Sequence, residues 1–270
     1  MKRIEYFVTQ TVTFQFLKLL KKQAFEFFET FGRMAIRLFE VIKYILTGQF
    51  SYRHVIEQCS RFAIDSLPIT LTIVAMTSII LAVQIAPEMV KQGGAAFIGG
   101  LLAIVTVREM GTIMTGFAII SMIGSSMASE IATMKVTDQV SAMKVLHVPP
   151  VKYLFVPRVI AGALMMPLVT TVASTVGIFC GGFVSSLTSP EVTGLCFINS
   201  VKLGLFNRDI GIMLLKASFF GAAIAHISSS CGYDAEGGAK SVGIATTKAV
   251  VWSFIGIVII DYIFALWFYF

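Results

Sequence analysis

Five long apolar runs decide the solvent in which this chain folds. They lie near Ile64–Ala86, Ala95–Ala128, Tyr153–Leu187, Ile210–Ser229 and Ala249–Phe270. Each reaches the ~18–20 apolar residues that a helix needs to cross a bilayer. The second and third are longer, so they must tilt, bend or extend beyond the hydrocarbon. Pro157 and Pro167 are the expected kink points of the third. Composition agrees: 56% of residues are hydrophobic and 13% charged, where a soluble domain carries about 25% charged residues. The expectation is an all-α integral membrane protein with about five transmembrane helices. No soluble domain fits between the spans, and no internal repeat is present.

The first sixty residues do not read as a sixth span. Lys18, Lys22, Glu26, Glu29, Arg33, Arg37 and Glu40 recur every three or four residues as a charged stripe, with Phe14, Leu17, Phe25, Phe28, Met34, Leu38 and Ile42 on other faces. A charge at the bilayer centre costs about 2.5–3.5 kcal/mol on insertion scales, so seven would prevent crossing. An amphipathic helix lying in the membrane interface fits; a soluble helix packed on a partner is the alternative. The opening MKRIEYFVTQ lacks a short apolar core followed by a small-residue cleavage site, so no cleaved signal peptide is expected.

Basic residues set the orientation. With a cytoplasmic N-terminus, sixteen Lys/Arg fall on the cytoplasmic side and three (Lys91, Lys202, Arg208) outside, while Arg108 and Lys216 lie within spans. That bias places the C-terminus outside.

No catalytic constellation is visible. Gly232 and Gly237 have the first spacing of a phosphate-binding loop, but Gly238 and Ala239 intervene before Lys240, and no buried strand precedes them. His54, His147 and His226 are too scattered to form a metal site, and the four cysteines (Cys59, Cys180, Cys196, Cys231) lack metal-ligand spacing. No cofactor is expected, nor any enzymatic activity of this chain alone.

One polar interruption stands out: EIATMKVTDQVSAMKVLHVPP, residues Glu130 to Pro150, on the cytoplasmic side. Val136, Val140, Met143 and His147 follow i, i+4, i+7, i+11 spacing, which predicts a short helix with one apolar face. Asp138 near its start and Lys144 near its end suit the helix dipole, and HVPP stops it. Such a peg could enter a partner's groove or be an ordinary interfacial loop helix.

These residues also carry a resemblance. REMG at Arg108–Gly111, EIATMKVTDQVSAMKVL at Glu130–Leu146, P-x-K-Y-L-x-x-P-R at Pro150–Arg158, and GYDA followed by GIATTKAVV resemble the MlaE (YrbE) permease family over residues 50–270. The resemblance implies a membrane subunit of an ATP-binding cassette (ABC) transporter that moves phospholipids between the bacterial inner membrane and an MCE-domain substrate-binding protein, contributing to outer-membrane lipid asymmetry. It implies a homodimer with a separate ATPase subunit, leaves room for a small accessory cytoplasmic subunit, and involves no nucleic acid. Residues 61–270 are then the permease domain. The segment near 130–147 becomes the coupling helix, with Glu130, Met134, Lys135, Val136, Asp138, Val140 and Met143 as candidate ATPase contacts.

Charges inside the spans need partners or a hydrated cavity. Arg108, Glu109, Lys216 and Asp261 are read either as ion pairs tying helices together or as the edge of a headgroup route. Met89, Gln92, Met110 and Met114 are candidates for contact with acyl chains, since methionine adapts to varied apolar ligands, although each also suits plain packing. Rival functions are a non-transporting scaffold that recruits a cytoplasmic protein, and an ABC permease for another apolar solute.

Overall fold

A computed structural model of the chain describes residues 21, 25, 28–48, 50–189 and 191–269. All secondary structure among them is helical: α1 (28–46), α2 (Tyr52–Ser60), α3 (Leu67–Lys91), α4 (Ala95–Val136), α5 (Gln139–Val145), α6 (Val151–Thr188), α7 (Gly194–Gly204), α8 (Asn207–Tyr233) and α9 (Ala239–Tyr269). Of these, α3, α4, α6, α8 and α9 are long and apolar enough to cross a membrane.

The fifth span begins at Ala239 rather than Ala249. Its first turns are too polar for an apolar window, yet they stay helical; the Thr246 hydroxyl donates back to the Val242 carbonyl at 2.8 Å. For the same reason α4 runs on past Ala128 to Val136. It is not uniform, because π-turns occupy Thr106–Met110 and Ile120–Gly124. Such turns insert a residue into the helical ladder and mark functional positions in many helices. The first of them carries Arg108 and Glu109.

Pro167 sits inside α6, which continues through it unbroken. A proline leaves the carbonyl four residues earlier without its helical donor. That carbonyl belongs to Ala163, and the Ser218 hydroxyl on α8 donates to it at 2.7 Å. Pro157 lies where the π-turn Val151–Phe155 at the start of α6 gives way to regular α-helix.

Helix α6 packs between α3 and α8, while α9 lies against α8 and α4. Lipid offers no hydrophobic drive for helices to associate, so close backbone approach matters. Gly162 and Gly221 supply it: a Cβ on either would collide with the backbone of the other. The main core gathers around Phe62, Phe155, Met166, Phe220 and Ile224. A second cluster, at the other end, joins Ala82, Ala86, Ile98, Leu102 and Phe197.

Lys18, Lys22, Glu26, Phe14 and Leu17 lie outside the described residues. Along α1 an exposed apolar stripe of Phe28, Phe31, Phe39, Ile42 and Leu46 runs beside exposed Glu29, Glu40 and Lys43. Met34 and Val41 are buried against the bundle. Arg33 and Arg37 also turn toward the protein, to Asp234.

Candidate functional site

The π-turn of α4 brings its charges against α8 and α9. Lys216 is wholly buried. Its ammonium donates to Glu109 Oε2 at 3.0 Å and to the Arg108 carbonyl at 2.9 Å, and forms an ion pair with Asp261. Two hydrogen bonds and a second carboxylate close by thus compensate the buried ammonium, which would otherwise be costly. Arg108 points the other way, to Asp209 on α8, at 2.9 Å. The Asp209 side chain is only 4% exposed, whereas Glu109 is 34% exposed. Asp209 also accepts from the Phe206 backbone N–H, 3.3 Å away, at the start of α8. Asp209 is thus shut in while Glu109 stays partly open, and Arg108 reaches a cleft of about 410 Å³ that it lines with Phe206, Arg208, Asp209 and Phe268.

Four sequence candidates, Arg108, Glu109, Lys216 and Asp261, come together here. Met110 and Met114 follow in the same span and are half-buried. Met89 instead packs in the second apolar cluster, and Gln92 is the exposed residue ending α3. Asp209 carries no sequence signal for this role, because a carboxylate beside Arg208 at the end of a span reads as ordinary surface charge.

The polar interruption differs from its expected form. Helix α4 runs to Val136, Asp138 takes a left-handed conformation (φ 58°), and a separate helix α5 follows, ended by left-handed His147 (φ 57°). Val136 and Val140 thus do not share one continuous helix. Val140 is 0% exposed, within the main core, and Met134 and Met143 pack against that core. The chain's own bundle takes the apolar face expected to meet a partner. What α5 and the turn after it expose is Val145 (77%) and Leu146 (73%), with Asp138, Gln139, Ser141 and Lys144 around them.

Glu130 and Lys135 are also engaged internally. Arg158, itself buried, donates to Glu130 Oε2 at 2.9 Å, and Arg61 does so at 3.2 Å. Glu130 therefore clamps the segment after α2 and the start of α6 to α4. Lys135 lies over the Tyr233 ring at 5.2 Å. Arg158 and Tyr233 stand within motifs already visible in the sequence, but their pairings depend on the fold.

Several apolar helices crossing a membrane around a buried, charge-paired lysine define a polytopic membrane protein with a polar intramembrane site. The permease MlaE family model matches residues 55–267, and the chain belongs to that family. A "Probable ABC transporter permease protein" of Synechocystis sp. is 36% identical over 223 residues, covering 83% of this chain and 84% of its own length. The Arabidopsis thaliana "Protein TRIGALACTOSYLDIACYLGLYCEROL 1, chloroplastic" is 34% identical, covering 85% of this chain and 65% of its own. Another "Probable ABC transporter permease protein", from Rickettsia felis, is 31% identical over 90% of this chain and 93% of its own length. The chain is accordingly an ABC transporter permease, the membrane subunit of its transporter.

Proposed function

We propose that this permease moves phospholipids, as a homodimer in a bacterial inner membrane, between that membrane and an MCE-domain partner, driven by a separate ATPase. The observation that carries this reading is the half-open charge cluster of Arg108, Glu109, Lys216 and Asp261. A zwitterionic headgroup has a phosphate that suits Arg108 and an amine that suits Glu109. The half-buried Met110 and Met114 continue from those charges as flexible apolar surface for acyl chains. Partly exposed charges facing hydrocarbon are costly, so a second copy covering that side would enclose a cavity. The name of the Arabidopsis relative, which contains a diacylglycerol lipid, agrees with a lipid substrate.

In this reading the N-terminus and α5 are cytoplasmic and the C-terminus is periplasmic, as the positive-inside bias favours. Val145 and Leu146 are the ATPase contact, in place of Val140 and Met143. The outward apolar stripe of α1 lies in the cytoplasmic interface. The test is reconstitution of the permease with its ATPase and an MCE partner, followed by ATP-dependent transfer of labelled phospholipid between vesicles. Lipid copurifying from wild type but depleted from Glu109→Gln supports the site; equal lipid content and equal transfer in both overturns it.

A further inference from the structure

A cleft of about 610 Å³ opens at the end of the bundle that carries α5, between α1, the turn after α8 and the first turns of α9. It is separate from the Glu109–Lys216 cluster. Its apolar wall is Cys231, Ile244, Ala245 and Trp252, and its cationic lining is Arg33, Arg37, Lys135 and Lys248.

Three carboxylates also line it, and their pairing decides what charge remains. Glu29 pairs with Arg33, and Asp234 pairs with both Arg33 and Arg37. Glu236 is exposed. Lys135 lies over the Tyr233 ring, and neither Lys135 nor Lys248 makes a salt bridge among the described residues. The Tyr233 ring carries two further cations, Arg37 at 4.8 Å and Lys144 at 5.7 Å. Four cations thus line the cleft against three carboxylates, and the salt bridges leave Lys135 and Lys248 as its cations outside an ion pair among the described residues.

The wall adds an apolar surface to these cations. Trp252 lies one turn along α9 from Lys248, an aromatic beside a lysine as at membrane interfaces. Beyond them the exposed side of α9 continues as Val251, Ile255 and Ile259. Cations at the mouth, an indole next and an apolar stripe beyond match phosphate, glycerol and acyl chain in that order. A soluble anion would use only the first of the three.

We propose that this cleft holds the phosphate of an anionic phospholipid from the leaflet at this end, with its acyl chain along α9. Juxtamembrane basic clusters attract anionic lipid, each Lys or Arg near the surface adding to the pull. The leaflet is the cytoplasmic one in the orientation proposed above. The bound lipid is distinct from the transported one and ties α1 to α9.

The experiment titrates the purified full-length permease in detergent with phosphatidylglycerol, phosphatidylcholine or inorganic phosphate, following melting temperature and bound lipid by native mass spectrometry. Phosphatidylglycerol should raise the melting temperature more than phosphatidylcholine does, and inorganic phosphate should not. The Lys135→Gln/Lys248→Gln pair should weaken phosphatidylglycerol binding roughly thirtyfold, with Lys→Arg at both positions restoring it. If the Gln pair fails to fold, Lys248→Gln alone, at an exposed residue, gives the same reading. Equal protection by inorganic phosphate would assign the cleft to a soluble anion and overturn the lipid. Unchanged phosphatidylglycerol binding in the Gln variants overturns the site. A shift lost in Glu109→Gln but kept in the Lys variants would place the lipid at the central cluster, overturning this proposal while leaving the transport reading intact.

Discussion

Lys216 donates to Glu109 at 3.0 Å while forming an ion pair with Asp261, so one buried ammonium is shared between two carboxylates. The two carboxylates are unequal in consequence. Glu109 is the more open, and its loss leaves Lys216 with Asp261 and the Arg108 carbonyl. Glu109→Gln should therefore cost less than about 1 kcal/mol of stability, since a neutral hydrogen bond replaces a charged one. Lipid transfer should fall roughly tenfold, the worth of one charged hydrogen bond to a ligand. Transfer and melting temperature measured on one preparation check both; normal transfer would remove Glu109 from the route.

Removing the cation is a different matter. Lys216→Met leaves Glu109 and Asp261 facing each other with nothing between them. Breaking a buried pair by deleting one partner costs about 3–5 kcal/mol, and here two partners are stranded. The variant should melt well below wild type or fail to accumulate in the membrane. A wild-type melting temperature would mean that the ion pairs of Lys216 add nothing to stability.

The five spans were legible because lipid imposes a length and an apolar content that local sequence must meet. The intramembrane charges were legible for the complementary reason that each is an exception in an apolar run. Their pairing was not: Arg108 and Glu109 are neighbours, and the π-turn at Thr106–Met110 sets where each points. Periodicity also misjudged the Glu130–Pro150 segment. It assumed continuous helical geometry through Asp138, where a left-handed residue restarts the count. An apolar face, moreover, does not reveal whether its partner is another protein or the chain's own core.

Asp209 holds Arg108 and caps the start of α8, and its two roles can be separated. Asp209→Asn keeps an acceptor for the Phe206 N–H but loses the ion pair. Asp209→Ala loses both, and the missing cap adds about 1 kcal/mol to the cost. The expected order of melting temperature is wild type, then Asn, then Ala. Equal loss in the two variants would show that the cap contributes nothing.

The Gly162–Gly221 crossing should tolerate no added methyl. Gly221→Ala forces α6 and α8 apart or displaces Met166, at about 1–3 kcal/mol for overpacking. Gly243→Ala, in the first turns of α9 with open space around it, should be neutral or stabilise by up to about 1 kcal/mol through helix propensity. Thermal denaturation of the two variants in the same detergent gives the comparison. If both behave alike, the close crossing is not a determinant of packing.

The two apolar sets of the loop should respond oppositely to charge. Val140 lies in a core it shares with Val41, Val151, Leu154 and Phe155. An aspartate there buries an unpaired charge, so Val140→Asp should lower stability by several kcal/mol and lose ATPase binding only as a result. Val145 and Leu146 touch little of the chain, so Val145→Asp/Leu146→Asp should insert and melt within about 0.5 kcal/mol of wild type, as exposed substitutions do. If these two residues seat the ATPase, the same variant should lose ATPase copurification and lipid-stimulated ATP hydrolysis. Copurification of the ATPase with that doubly charged variant at wild-type yield would move the motor contact away from the end of α5.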